Sequence, residues 1–251
     1  MIELRDVTKK YDGIPVVDRV SLTIEKGTVT SFIGPNGAGK STLLAIISRL
    51  LRQDGGEVII DGIPIEKWGS SELARRISIL KQSNQVNLRL TIRELVSFGR
   101  FPYSQGHLTA GDWAAVDQAL AYMKLTDIQH KYLHQLSGGQ LQRAYIAMVI
   151  AQDTDYILLD EPLNNLDMRH AVDIMKTLRA LVQDLGKTVV TVIHDINFAS
   201  CYSDCIVVMD QGRIACSGGP QRIIDRSVLC DVYELDFHIE TVNNQRICVY
   251  Y

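Results

Sequence analysis

No apolar run in this 251-residue sequence approaches the roughly 18 to 20 residues that a helix needs to cross a bilayer. The N-terminal stretch "MIELRDVTKKYDG" carries charges where a signal peptide is apolar, so a secretory leader is not expected either, and the chain reads as soluble. A bias of charge is also missing. With 26 basic and 29 acidic residues the formal net charge is −3, which argues against a polyanion-binding surface and against nucleic acid as a partner. Cysteine is confined to the last quarter: the five sit at 201, 205, 216, 230 and 248, an odd number with no Cys-x-x-Cys pair, which reads as reduced cytosolic thiols. His130 and His134 have the i, i+4 spacing of a helical metal pair, but no H-E-x-x-H motif accompanies them, so a solvated or capping pair is expected. Repeats and low-complexity segments are absent. The length suits one large domain, or a domain with an inserted lobe, able to bury a substantial core.

What is present alternates. The first sixty residues follow period two, as in "IELRDV" and "VSLTIE", with turn signals at Asp12-Gly13, Lys26-Gly27, Gly55-Gly56 and Asp61-Gly62. That pattern predicts an antiparallel sheet. By contrast, "TVTSFI" (28 to 33), "YILLD" (156 to 160) and "TVVTVIH" (188 to 194) are short apolar runs of the kind found in strands buried on both faces, and they predict a parallel α/β core. Two helical stripes stand between them: Leu43, Leu44, Ile46, Ile47, Leu50 and Leu51, then Val172, Met175, Leu178, Leu181, Val182 and Leu185, the second closed by Gly186. From about 86 to 150 the sequence introduces helices without β-rich runs, beginning with the capping signal "TIRE" (91 to 94), and predicts an inserted helical lobe. The tail returns to strands around a turn at Gln211-Gly212, then a short helical stretch and a last strand near "RICVYY".

"GPNGAGKST" (34 to 42) fits G-x-x-x-x-G-K-[ST], placed after a predicted strand and before a predicted helix, as a phosphate-binding loop requires. Gly34, Gly37 and Gly39 let backbone amides approach phosphate oxygens, with Pro35, Asn36 and Ala38 completing the loop. Lys40 supplies a mobile cation, and Ser41, followed by Thr42, a hydroxyl for Mg²⁺. "YILLDEP" adds the second half of a site: Asp160 ends a buried strand where it can hold the Mg²⁺ shell, and Glu161 can take a proton from attacking water. His194 ends a third strand, at the edge where ligands of open α/β sheets collect. "LSGGQ" precedes the helical pattern "LQRAYIAMVIAQ", so Ser137, Gly138, Gly139 and Gln140 form a second phosphate cradle at a helix N-terminus. Lying in the helical lobe, it is better placed to face the nucleotide of another chain in a two-fold dimer.

The order of "GPNGAGKST", Gln82, "LSGGQ", "YILLDEP", "NNLD" and His194 resembles the ATP-binding subunit of ATP-binding-cassette transporters, over essentially the whole chain. The resemblance implies a P-loop NTPase, RecA-like α/β core with an N-terminal antiparallel β subdomain and an inserted α-helical subdomain, with the core at 1–85 and 151–251 and the helical signature subdomain at 86–150. It also implies that ATP and Mg²⁺ are bound, that Tyr11 stacks on adenine, that Gln82 is a hinge and metal-shell residue, and that Asp167 lies at a dimer seam. Without the family, Tyr11 reads as a packing aromatic, Gln82 as a polar strand end and Asp167 as a helix cap. "TIRELVSFGRFPYSQGHLTAGD" and "HDINFASCYSD" further resemble the ATPases of ferric-siderophore importers in the iron-chelate and cobalamin group. Lys81, where that group commonly has proline, and "PLNNLDM", in place of threonine-rich wording, depart from it.

The resemblance implies a catalytic set of Lys40, Gln82, Glu161 and His194 at the cytoplasmic face of a membrane. Its partners would be a second, identical ATPase chain, two transmembrane permease subunits and, indirectly, a substrate-binding protein. A soluble cassette acting on a cytosolic scaffold, as in iron–sulfur cluster assembly, uses nearly the same motifs and stays open at this point. A DNA-clamping head would need a long coiled coil between the loop and the signature, and the sequence has none.

Overall fold

A computed structural model of the protein describes residues 1–82, 89–164 and 166–250. In chain order the elements are β1 (Ile2–Tyr11), β2 (Ile14–Ile24), β3 (Val29–Ile33), α1 (Lys40–Ile47), β4 (Gly55–Ile60), β5 (Ile63–Pro64), α2 (Ser70–Ala74), β6 (Ile77–Leu80), α3 (Ile92–Ser97), α4 (Phe101–Ser104) and α5 (Ala110–Tyr122). They continue with α6 (Gly138–Ala151), β7 (Tyr156–Asp160), α7 (Met168–Leu185), β8 (Thr188–Val192), α8 (Ile196–Tyr202), β9 (Cys205–Asp210), β10 (Arg213–Gly218), α9 (Pro220–Ile223), α10 (Arg226–Tyr233), β11 (His238–Val242) and β12 (Gln245–Val249). Two compact units result, Met1–Trp68 with Thr188–Tyr251, and Gly69–Lys187.

The first unit is mixed α/β. Its antiparallel sheet runs β2-β1-β4-β5. Next to that lies a set in which β3 pairs in parallel with both β8 and β9, while β10 closes the edge antiparallel to β9. The five residues of β3 and the five of β8 are all buried, as continuous apolar runs predict for strands covered on both faces. Phe237, Ile223, Ile224, Leu229 and Cys248 pack on Ile33, Ile206 and Val208, so the C-terminal segment covers this sheet. The predicted turn at Gly55-Gly56 is instead the start of β4. Gly56, at φ 78, forms an irregularity opposite Arg5 and Asp6 of β1, where the strand register shifts. The helix stripe predicted through Leu51 also ends early. Arg49 turns left-handed (φ 58) to donate its guanidinium to the carbonyls of Ile65 and Trp68, and Leu50 is exposed.

The second unit holds the parallel pair β6–β7 and most of the helices. Capping boxes start three of them, at Thr91/Glu94, Thr109/Asp112 and Ser137/Gln140. The 18-residue α7 buries Ala171, Ile174, Met175, Leu178, Leu181 and Val182 and ends at left-handed Gly186, as its stripe predicted. Of its flanking positions Val172 is half-buried and Leu185 is exposed, because the buried face falls nearer Ala171 and Ile174. His130 and His134 do not share a helix: His130 sits in a turn, and His134, in a 3₁₀ turn at 133–135, stacks on Tyr132 with ring centroids 5.7 Å apart. Among the described residues no helix is long and apolar enough to cross a membrane. The predicted start of the helical lobe at residue 86, Asn165 of "NNLD" and Tyr251 of the last strand lie outside the described residues.

Candidate active site

In the first unit the loop from Gly34 to Gly39 links the buried strand β3 to α1. A Cβ at Gly34 (φ 137) would stand 2.0 Å from the carbonyl oxygen of Met209, and one at Gly39 (φ 95) 2.4 Å from that of Val16, so both positions require glycine. No side chain caps α1, leaving the positive end of the helix to the loop. Lys40 is 5% exposed and donates from Nζ to the carbonyls of Gly34 and Pro35 at 2.8 and 2.7 Å, poised over the loop whose phosphates it would meet. Ser41 and Thr42 follow in the first turn. Behind the loop, burial pushes the Tyr233 phenol up to about 12, beside the Gly34 backbone N–H. Parallel pairing of β3 with β8 puts the loop and the exposed His194 at the carboxyl ends of neighbouring strands. Tyr11 is half exposed at the end of β1, with the Lys9 ammonium 5.7 Å from its ring centroid. An open ring face, glycine-lined amides and a buried lysine fit a nucleoside triphosphate.

In the second unit Leu80 of β6 pairs with Leu159 of β7, so Gln82 and Glu161 leave adjacent strands on the same side. Gln82 Nε2 donates to Glu161 Oε2 at 2.6 Å, and Asn164 Nδ2 donates to the same oxygen. Glu161 itself adopts φ 51, a strained conformation that turns its carboxylate out of the strand. Asp160, 9% exposed, closes β7 just before it. Its amide nitrogen turned to Glu161, Gln82 keeps an oxygen that, like the Asp160 carboxylate, is a donor of the kind Mg²⁺ takes; the Ser41 hydroxyl of the first unit is chemically a donor of the same kind.

Ser137 caps α6. Its Oγ accepts from Gln140 N at 3.3 Å and its own N–H donates to Gln140 Oε1 at 3.1 Å, which places Gly138 and Gly139 in the first turn of a 14-residue helix. Gln142, one turn on, donates to the carbonyl of Pro162 at 3.0 Å. Asp167 is the N-cap of α7, the plain helix-cap reading, and is exposed. The backbone N–H of His170, then its ring, hold the Asp167 carboxyl below the ordinary carboxylate range. The structure thus joins Gln82 with Glu161 and places Ser137 to Gln140 at the start of α6. It adds Asn164, Gln142 and His170, which sequence reasoning left out. Asn164 lies in the "PLNNLDM" departure, and His170 stands three residues after a predicted cap, where a capping box has Glu or Gln.

Residues 17–164 match the family described as ABC transporter. The chain is 64% identical over 251 residues to the petrobactin import ATP-binding protein YclP of Bacillus subtilis (strain 168), covering 100% of both. It is 45% identical over 239 residues to the petrobactin import ATP-binding protein FatE of Bacillus anthracis, covering 95% of this chain and 96% of the relative. Among solved structures it resembles the dimeric post-hydrolysis state of the ATP-binding cassette MJ0796 bound to ADP and Pi, with a TM-score of 0.78 and 34% identity over 88% of this chain and 99% of the other.

Proposed function

The chain belongs to the ABC transporter family as its ATPase component, and from that premise we propose that it powers a membrane importer of ferric siderophores, petrobactin or a close chemical relative. The whole-length likeness to a petrobactin import ATP-binding protein carries this reading. The chain would sit at the cytoplasmic face of the membrane, held there by two permease subunits that receive chelate from a binding protein.

In the proposed cycle two identical chains close on two ATP molecules. Residues 1–85 and 151–251 act as the nucleotide-binding core and 86–150 as the helical signature subdomain. Tyr11 stacks on adenine, and Gly34 to Thr42 wrap the phosphates. Lys40 and His194 hold the γ-phosphate from one side, and Ser137 and Gly139 of the other chain hold it from the opposite side, with Asp167 at the seam. Mg²⁺, when bound, neutralises charge on the β- and γ-phosphates; Ser41, Asp160 and Gln82 would hold it. Glu161, oriented by Gln82 and Asn164, takes the proton from water as it attacks the γ-phosphorus, while the bond from that phosphorus to the β–γ bridging oxygen breaks and ADP leaves. Losing a general base costs about 10² to 10⁴ in rate, so Glu161→Gln should bind ATP and accumulate a closed dimer, whereas Lys40→Ala should lose nucleotide binding.

The substrate class is tested by reconstituting the chain with its permease and binding protein in vesicles and adding ferric chelates in turn. Ferric petrobactin or a relative should stimulate ATP hydrolysis and accumulate inside. An ATPase rate indifferent to every ferric siderophore would remove the proposal.

A further inference from the structure

One side chain near the signature belongs neither to the phosphate loop nor to the water-activating group. His170 is the third residue of α7. Asp167, the cap, accepts its backbone N–H at 2.9 Å, and His170 Nδ1 lies 2.8 Å from both carboxylate oxygens. An ionised carboxylate only accepts hydrogen bonds, so Nδ1 carries the proton and the ring is fixed in one tautomer. The ring so held lies against the backbone of Gly139. A Cβ there would stand 3.0 Å from the ring Cγ and 3.2 Å from Cδ2 and Nδ1, so any side chain at 139 would displace it. The Gln142–Pro162 hydrogen bond forms a second tie between α6 and the segment that follows β7.

We propose that His170 is a positioning residue, binding the phosphate cradle at the start of α6 to Asp167 at the start of α7 so that Ser137, Gly139 and Asp167 meet the partner's nucleotide as one preset surface. The proposal rests on the reading that Ser137 and Gly139 close on ATP held by a second chain. Imidazole suits the place because it offers a flat face to bare glycine backbone and an edge donor to a carboxylate, a combination no aliphatic side chain provides. Without it, the cradle and the cap must be ordered during closure, and that entropy is charged to dimer formation. His170 touches no reacting atom.

The test uses the full chain carrying Glu161→Gln, with ATP-dependent dimerisation followed by light scattering. Adding His170→Leu, which keeps the bulk and removes the donor, should raise the ATP needed for half-closure roughly tenfold. Nucleotide affinity of the dilute monomer should stay within about twofold, because the phosphate loop is a separate site. His170→Asn, which keeps a donor near Nδ1, should restore most of the closure. Gly139→Ala should impair closure from the other side of the same contact, and combining it with His170→Ala should cost less than the two effects added. Closure of the Leu variant at unchanged ATP would overturn the proposal, as would equal failure of Leu and Asn. If Glu161→Gln alone stays monomeric in saturating ATP, the dimer reading itself fails and takes this role with it. The parent variant therefore tells the two failures apart.

Discussion

Two amides converge on a single oxygen of Glu161, one from Gln82 and one from Asn164. Both donate to Oε2, which fixes the plane of the carboxylate that, in the proposed cycle, faces the attacking water. Removing one of the two donors should leave the base present but less well aimed. Asn164→Ala is therefore expected to lower kcat about tenfold while KM for ATP barely moves, read from steady-state ATPase rates. A rise in KM with kcat intact would assign Asn164 to nucleotide binding instead. At this scale the sequence was unevenly legible. Lys40, Ser41 and the loop glycines could be named because the motif's spacing dictates the local backbone, and Glu161 because it follows an apolar run. Asn164 registered only as odd wording, and His170 not at all, since a side chain reaching a glycine about thirty positions earlier leaves no periodic trace.

Among the elements, α5 depends on a carboxylate that the sequence does not single out. Asp112 accepts the backbone N–H and the hydroxyl of Thr109, and takes Arg100 Nε at 3.0 Å, while Arg100 also donates to the carbonyl of Ala151 at the end of α6. The Thr109 backbone N–H, then its hydroxyl, then Arg100 hold Asp112 down at about 2, against an ordinary 3.8. A folded-state pKa below the unfolded one contributes stability that is full above pH 4 and is lost as pH falls toward 2. Urea midpoints across that range should show Asp112→Asn weaker than the wild type at neutral pH, with the gap narrowing as the wild-type carboxyl protonates. A gap of constant size would mean that Asn fails for its shape and not its charge. Helix starts were the best-read elements: "TIRE" announced the Thr91/Glu94 box because capping is settled within four residues. Strand and helix ends were read less well. Gly55-Gly56 looks like a turn until β1 lies beside it, and nothing local shows that Arg49 will leave α1 for the carbonyls of Ile65 and Trp68.

For the molecule as a whole, the proposed centre is divided between chains, and that division can be probed by mixing. Lys40→Ala spoils the phosphate loop but leaves the signature at Ser137 intact, while a disruptive change such as Ser137→Arg does the reverse. In either homodimer both centres contain one damaged half. In a mixed pair the two lesions fall together in one centre, so the other combines an intact loop with an intact signature. Equal amounts of the two chains pair at random into about one half mixed dimers, each with one of two centres whole, so independent centres should recover about a quarter of wild-type ATPase activity from two nearly inactive preparations. Recovery well below that would show that hydrolysis in one centre needs its neighbour filled and closed, which is cooperativity added to the shared-site scheme. No recovery, with mixed dimers demonstrated by differently tagged chains, would mean that each chain completes its own centre, and the role given to Ser137, and with it to His170, would be lost.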